Sequence, residues 1–131
     1  YHNRSAINTL SRTVSESRET EPKEIKKIKT NTLNSVIEES PFKSKKINFV
    51  NIDVEGYEMN VLKGFDIEKY YPDVIVIEYL DVQMKKIEFH NQDIAKIMSS
   101  ELYKFMNSKK YRFVNWLHSD LVFVSDNIRD I

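Results

Sequence analysis

Glycine is nearly absent from this chain. Of 131 residues only Gly56 and Gly64 lack a side chain, where average usage of about 7% would supply about nine. Loops of the Gly-x-Gly-x-x-Gly or Gly-x-x-x-x-Gly-Lys kind, which bring backbone amides against a phosphate or cofactor, need glycines that are not there. A nucleotide or cofactor enzyme built with this sequence must carry its cofactor loop on other sequence.

The rest of the composition is that of a folded domain, 40% hydrophobic and 31% charged, at a length near the mode for single domains. Twenty Lys and Arg balance 20 Asp and Glu, so neither the positive excess of a nucleic-acid grip nor the charge imbalance of a disordered tail is present. The absence of Cys excludes disulfides, thiolate metal sites and cysteine nucleophiles, and makes the cytoplasm the expected compartment. No apolar run approaches the ~18–20 residues of a membrane helix, and the polar start Tyr1-His2-Asn3-Arg4 is unlike a signal peptide. Neither nucleic acid nor membrane is an expected partner.

Residues 1–24 show no sustained period and read as an irregular arm or connection; residues 25–131 carry the folding pattern. Lysine-rich Glu24 to Lys29 is compatible with one charged edge strand. Thr32 is placed to cap a short helix through Glu39, with Leu33, Val36 and Ile37 on one face and Pro41 at its end. Ile47 to Ile52 is branched and aromatic, a strand. It leads through Asp53-Val54-Glu55-Gly56 into a helix from Tyr57 to Lys63, capped at Gly64. Val74-Ile75-Val76-Ile77 reads as a parallel strand covered on both faces. From Asn91 to Asn107 the apolar residues recur at three- and four-residue steps, the mark of one amphipathic helix. Tyr111 to Leu117 and Leu121 to Val124, separated by His118-Ser119-Asp120, form an antiparallel hairpin. The order predicts an α/β fold, a parallel sheet with helices and an antiparallel C-terminal hairpin.

Asp53 and Glu55 stand at the carboxyl end of a strand just before a helix, the edge where open α/β sheets form their binding crevice. A strand end holds a carboxylate rigidly, as a general base or metal ligand requires. The structural alternative is that Asp53 binds backbone amides at the helix start. His90, in the loop after the buried strand, is an alternative base on the same edge, while His118 in the hairpin turn reads as conformational. Strict alternation places Trp116 on the face opposite Tyr111 and Phe113, so one set is core. The lysine clusters at 26–29 and 43–46, balanced by acids, read as solvated faces.

The run Ile52-Asp53-Val54-Glu55-Gly56-Tyr57-Glu58, followed by Val61-Leu62-Lys63-Gly64, Pro72 and Ile75 to Glu78, resembles the carboxyl-terminal part of the FkbM family of S-adenosylmethionine-dependent methyltransferases. Thr32 to Ile37 is similar to the Thr-Leu-Asp stretch that precedes this strand in the family, and Leu121 to Val124 to its last strand. The chain departs from the family at Asn51 and Asn34, where members usually carry Lys and Asp. The resemblance implies that residues 25–131 are the C-terminal half of a class I methyltransferase domain, a partial Rossmann-like sheet lacking the glycine-loop half. It implies S-adenosylmethionine as cofactor, with a site incomplete in this chain, and a sugar or other hydroxyl compound as acceptor. Asp53 is then the candidate base or acceptor-orienting group and Glu55 the second catalytic candidate, with Glu78, Tyr57 and His90 as acceptor-binding candidates. The cofactor-binding residues are unknown. Asp53 and Glu55 offer the hard oxygens that suit Mg²⁺, but two carboxylates are a partial site, and no metal is expected.

The competing reading is a non-catalytic α/β interaction module that uses an open sheet edge. Removal of a neighbouring strand would expose the edge of Ile47 to Ile52, a template for pairing with another chain. That edge is therefore expected to be covered, by Glu24 to Lys29 or by the same strand of a second copy.

Overall fold

The computed structural model describes residues 8–17, 24–79 and 93–130. Helix α1 (Arg12–Glu16) falls within the stretch read as an arm. Helix α2 (Leu33–Glu38), strand β1 (Phe49–Ile52), helices α3 (Glu58–Lys63) and α4 (Ile67–Tyr70) and strand β2 (Val74–Glu78) follow. Helices α5 (Ile94–Ser99) and α6 (Glu101–Ser108), strands β3 (Tyr111–Leu117) and β4 (Asp120–Ser125) and a 3₁₀ turn at Asp126–Asp130 complete the described chain. None of the helices among the described residues is long and apolar enough to cross a membrane.

Side-chain caps start most of the helices. Ser11, Thr32, Asp66, Asp93 and Ser100 each accept a hydrogen bond from an amide three residues on, satisfying a donor that the helix itself cannot. Ser100 also explains why the apolar stripe from Asn91 to Asn107 is two helices and not one. Its backbone is extended at ψ 154 and its side chain caps α6, the conformation serine favours by competing for local backbone groups. Ile94 and Met98 lie exposed as a result, while Ile97, Leu102 and Met106 are buried. In α2, Leu33 and Ile37 pack on the core, but Val36 points outward.

The four strands form one sheet in the order β1-β2-β4-β3. β1 and β2 are parallel, with Phe49 opposite Val74 and Ile52 opposite Ile77. The C-terminal hairpin is antiparallel and lays β4 against β2, which makes the sheet the mixed α/β arrangement expected of a partial Rossmann-like methyltransferase fold. Ile52, Ile75, Ile77, Leu121, Phe123 and Tyr111 share one face and are buried with Leu62, Phe65, Ile67, Ile97, Leu102 and Met106 of the helical side. At about 1.5–3 kcal/mol for each fully buried large apolar side chain, this face is the main source of stability. The Tyr111 hydroxyl, buried with its ring, donates to the Pro72 carbonyl at 2.6 Å.

Along β2, buried Ile75 and Ile77 alternate with half-buried Val74 and Val76. The apolar run is thus covered on one face only among the described residues, not on both. The other face presents Phe49, Val74, Val76, Val122 and Val124, with Phe49 58% exposed.

β3 departs from strict alternation. Its register against β4 slips between Phe113, opposite Phe123, and Asn115, opposite Val122. Val114 is the extra residue of this β-bulge and is exposed. The slip turns Trp116 to face Leu121 on the same side as Tyr111 and Phe113, so all three pack with the core. Tyr111, Phe113 and Trp116 therefore do not divide between two faces.

Glu24 to Lys29 is not a strand. The segment is irregular and exposed, with Ile25 89% and Ile28 60% accessible, because its lysines keep it solvated. It does not cover the outer edge of β1, which has no strand beside it among the described residues.

Candidate functional site

The parallel register that sets Ile52 beside Ile77 carries one step further to place Asp53 beside Glu78, the last residue of β2. Beyond Asp53 the backbone enters a tight turn through two left-handed residues, Glu55 at φ 54 and Gly56 at φ 96. That turn brings Glu55 back toward the strand ends. One carboxylate oxygen from each of Asp53, Glu55 and Glu78 lies within 4.8 Å of the other two. Asp53 is exposed, Glu55 half-buried and Glu78 buried, so the cluster runs from solvent into the sheet end.

Two devices hold the turn. Glu58, in the first turn of α3, reaches back so that its Oε1 accepts from the Gly56 amide at 2.9 Å and the Val54 amide at 3.3 Å. A carboxylate on free amides at a helix start is favoured by their partial positive charge. This is the amide-binding role that the sequence offered as the alternative for Asp53, and among the described residues Glu58 fills it. The second device is the N-terminal segment: the Thr9 hydroxyl donates to the Glu55 carbonyl, and Val14 is buried against Gly56. A Cβ at Gly56 would lie 2.4 Å from Val14 Cγ2, so glycine is required there by close approach as well as by φ.

Burial, followed by the negative charges of Glu55, Asp53 and Glu58, pushes the Glu78 carboxyl up to about 7. Its Oε2 is sheltered from solvent and has no hydrogen-bond partner. A carboxyl near neutrality on a rigid strand end, facing two more carboxylates, can exchange a proton or hold a cation.

Asp53, Glu55 and Glu78 are thus brought together. Tyr57 is the N-cap residue of α3, half-buried two positions from Glu55, and makes no side-chain cap bond. His90 lies outside the described residues. Glu58 escaped the sequence reading as a site residue, although its place in the first helical turn, two and four residues after the amides it binds, is the signal that could have found it. Asn34, where Asp is usual in the family, accepts through its Oδ1 from the Asp66 amide at 2.6 Å, tying α2 to the start of α4.

No curated protein and no solved structure matches this chain. A model of the methyltransferase FkbM domain matches residues 2–113. The match takes in the N-terminal segment over the turn, the whole acid cluster and the start of β3, a longer stretch than the run that carried the resemblance. Spanning most of the sequence and centred on the strand, acidic turn and helix just described, it shows that the chain belongs to the FkbM methyltransferase family.

Proposed function

We propose that this chain forms the acceptor side of an S-adenosylmethionine-dependent O-methyltransferase acting on a sugar or other hydroxyl compound. The observation that carries the reading is the meeting of Asp53, Glu55 and Glu78 at the carboxyl ends of two neighbouring parallel strands, where open α/β sheets bind their ligands. The donor, when bound, supplies an electrophilic methyl group. The residues present do not build a donor loop: Gly56 is filled against Val14, and a Cβ at Gly64 would meet Thr32 at 3.3 Å. Neither glycine offers open backbone, so the donor loop is assigned to sequence beyond these residues.

Within the acceptor side, exposed Asp53 takes the acceptor hydroxyl as hydrogen-bond partner and receives its proton, with Glu55 beside it and Glu78 behind. The open β1 edge is assigned to pairing with the donor half. In a protein carrying both halves, Asp53→Asn is expected to lower kcat about 10²-fold with the circular dichroism spectrum unchanged, in the range of general-base contributions. Turnover within a few-fold of the parent would return Asp53 to a structural role. Calorimetry on the 131-residue chain is expected to detect no low-micromolar binding of S-adenosylmethionine; one-to-one binding at that strength would overturn the split site. Alone, the chain is expected to pair β1 edges with a second copy, seen as a dimer in light scattering and reduced by Phe49→Lys.

A further inference from the structure

The acid cluster contains an oxygen that no protein group serves. Glu78 is 8% exposed and its Oε2 is fully sheltered without a hydrogen-bond partner, a state that buried polar atoms avoid unless water, an ion or a catalytic role accounts for it. Equally buried Glu58 shows the ordinary solution, since its Oε1 takes two backbone amides. One Glu78 carboxylate oxygen lies within 4.8 Å of oxygens from Asp53 and Glu55, and the Glu78 side chain is hydrogen-bonded to Asp53, which leaves Oε2 as the unserved atom. Three converging carboxylates repel one another unless a proton or a cation sits among them.

We propose that Asp53, Glu55 and Glu78 together bind one divalent cation of the hard, oxygen-preferring class, Mg²⁺ in the cell. Oxygen ligands at about 2.0–2.6 Å from such an ion stand about 3–5 Å from one another, the span that these three oxygens already occupy. Glu78 supplies the third carboxylate that Asp53 and Glu55 lack as a pair. The frame is fixed: Asp53 directly follows β1, Glu78 ends the neighbouring β2, and the Glu55 turn is held by Glu58 and Thr9. The exposure of Asp53 leaves the outer coordination positions to water or to a hydroxyl ligand. The inference uses the same three carboxylates as the acceptor-site reading, and in its fuller form, a cation that holds the acceptor oxygen, it rests on that reading.

The test reads cation binding with neither donor nor acceptor present, so that either idea can fail alone. Mn²⁺ is titrated into the 131-residue chain and free Mn²⁺ is followed by electron paramagnetic resonance. The expected result is one Mn²⁺ per chain, displaced by Mg²⁺, with affinity at least tenfold weaker in Glu78→Gln and in Asp53→Asn and unchanged in Glu101→Gln. Mg²⁺ is also expected to raise the Tm of the parent chain but not that of Glu78→Gln. If Glu78→Gln does not fold, Asp53→Asn at the exposed end decides the matter. No bound Mn²⁺ at millimolar concentration, or binding undiminished by the cluster substitutions, would overturn the proposal and leave the carboxyls sharing a proton instead. Failure to bind Mn²⁺ together with a crippled Asp53→Asn methyltransferase would remove the cation and keep the acceptor site. Bound Mn²⁺ with full turnover in the variants would keep the cation and remove the acceptor site.

Discussion

Two carboxylates flank the acidic turn at nearly the same depth, Glu58 at the start of α3 and Glu78 at the end of β2, 7% and 8% exposed. Glu58 faces amides from its own stretch of sequence and accepts from two of them. Glu78 faces Asp53 and Glu55, two groups of its own charge, and its Oε2 has no partner. Burial alone therefore does not separate a structural acid from a chemical one; the sign of the surrounding groups does. Positive dipoles around Glu58 make its charge an asset to folding, whereas the negative neighbours of Glu78 make its charge a cost that a proton or a cation must relieve.

The largest effect expected on stability comes from breaking the satisfied side. Glu58→Ala removes two charge-assisted hydrogen bonds and leaves the Val54 and Gly56 amides unserved, a loss of about 3–5 kcal/mol that urea denaturation would measure. A loss below about 1 kcal/mol would show that water replaces the carboxylate and that the two acids differ less than their bonding suggests.

Next in size is the pH response of the unsatisfied side in chelator-treated buffer. Glu78 ionises near 4.5 when unfolded and at about 7 in the fold. Between those values the folded chain holds a proton that the unfolded chain has released. The stability from this group is therefore fully present below about pH 4.5 and is lost as pH rises through 7, by about 3 kcal/mol at most. Denaturation curves at pH 5 and pH 8 should show the loss in the parent chain and not in Glu78→Gln, and saturating Mg²⁺ should abolish it. A pH-independent difference between the two chains would assign Glu78 a neutral packing role.

Glu78→Gln itself should be neutral or stabilising by about 1–2 kcal/mol at pH 8 without metal, since it deletes a charge from among like charges. The opposite sign, a loss as large as that of Glu58→Ala, would erase the contrast between the two sites.

The smallest effect concerns backbone alone. Glu55 and Lys110 both hold left-handed φ values, 54 and 62, a conformation that costs a side-chain-bearing residue about 1–2 kcal/mol. Lys110→Gly relieves it at the end of α6, offset by the entropy of glycine, and should raise stability by no more than about 1 kcal/mol. Glu55→Gly at pH 8 should exceed that gain because it also removes a charge beside Glu78. Equal gains would mean that the Glu55 carboxylate does not load its neighbour.

Much of this site is legible in the sequence, and the limit is physical. Asp53 and Glu55 are marked by their place between a β-rich run and a helix, whereas Glu78 is a candidate only through the resemblance to the FkbM family. The clamp formed by Glu58 was visible only as a helix-favouring acid, because which amides it reaches depends on the two left-handed residues before it. Val14 over Gly56 was not visible at all, since 42 positions of sequence separate residues that touch only after the chain returns.

By itself the sequence determined the order of the strands from β1 to the hairpin, the helix that ends at Gly64, the Thr32 cap and the exclusion of a glycine-rich cofactor loop, but not the short helix α4. All of these follow from local period, local hydrogen-bonding capacity or simple absence of a residue type. Tertiary structure decided the bulge that carries Trp116 into the core and the isolation of Glu78 among other acids. Each of those depends on what a side chain finds across a register or at the far end of a neighbouring strand. Alternation and helical spacing describe which way a residue points from its own backbone; they carry no information about the partner that meets it there.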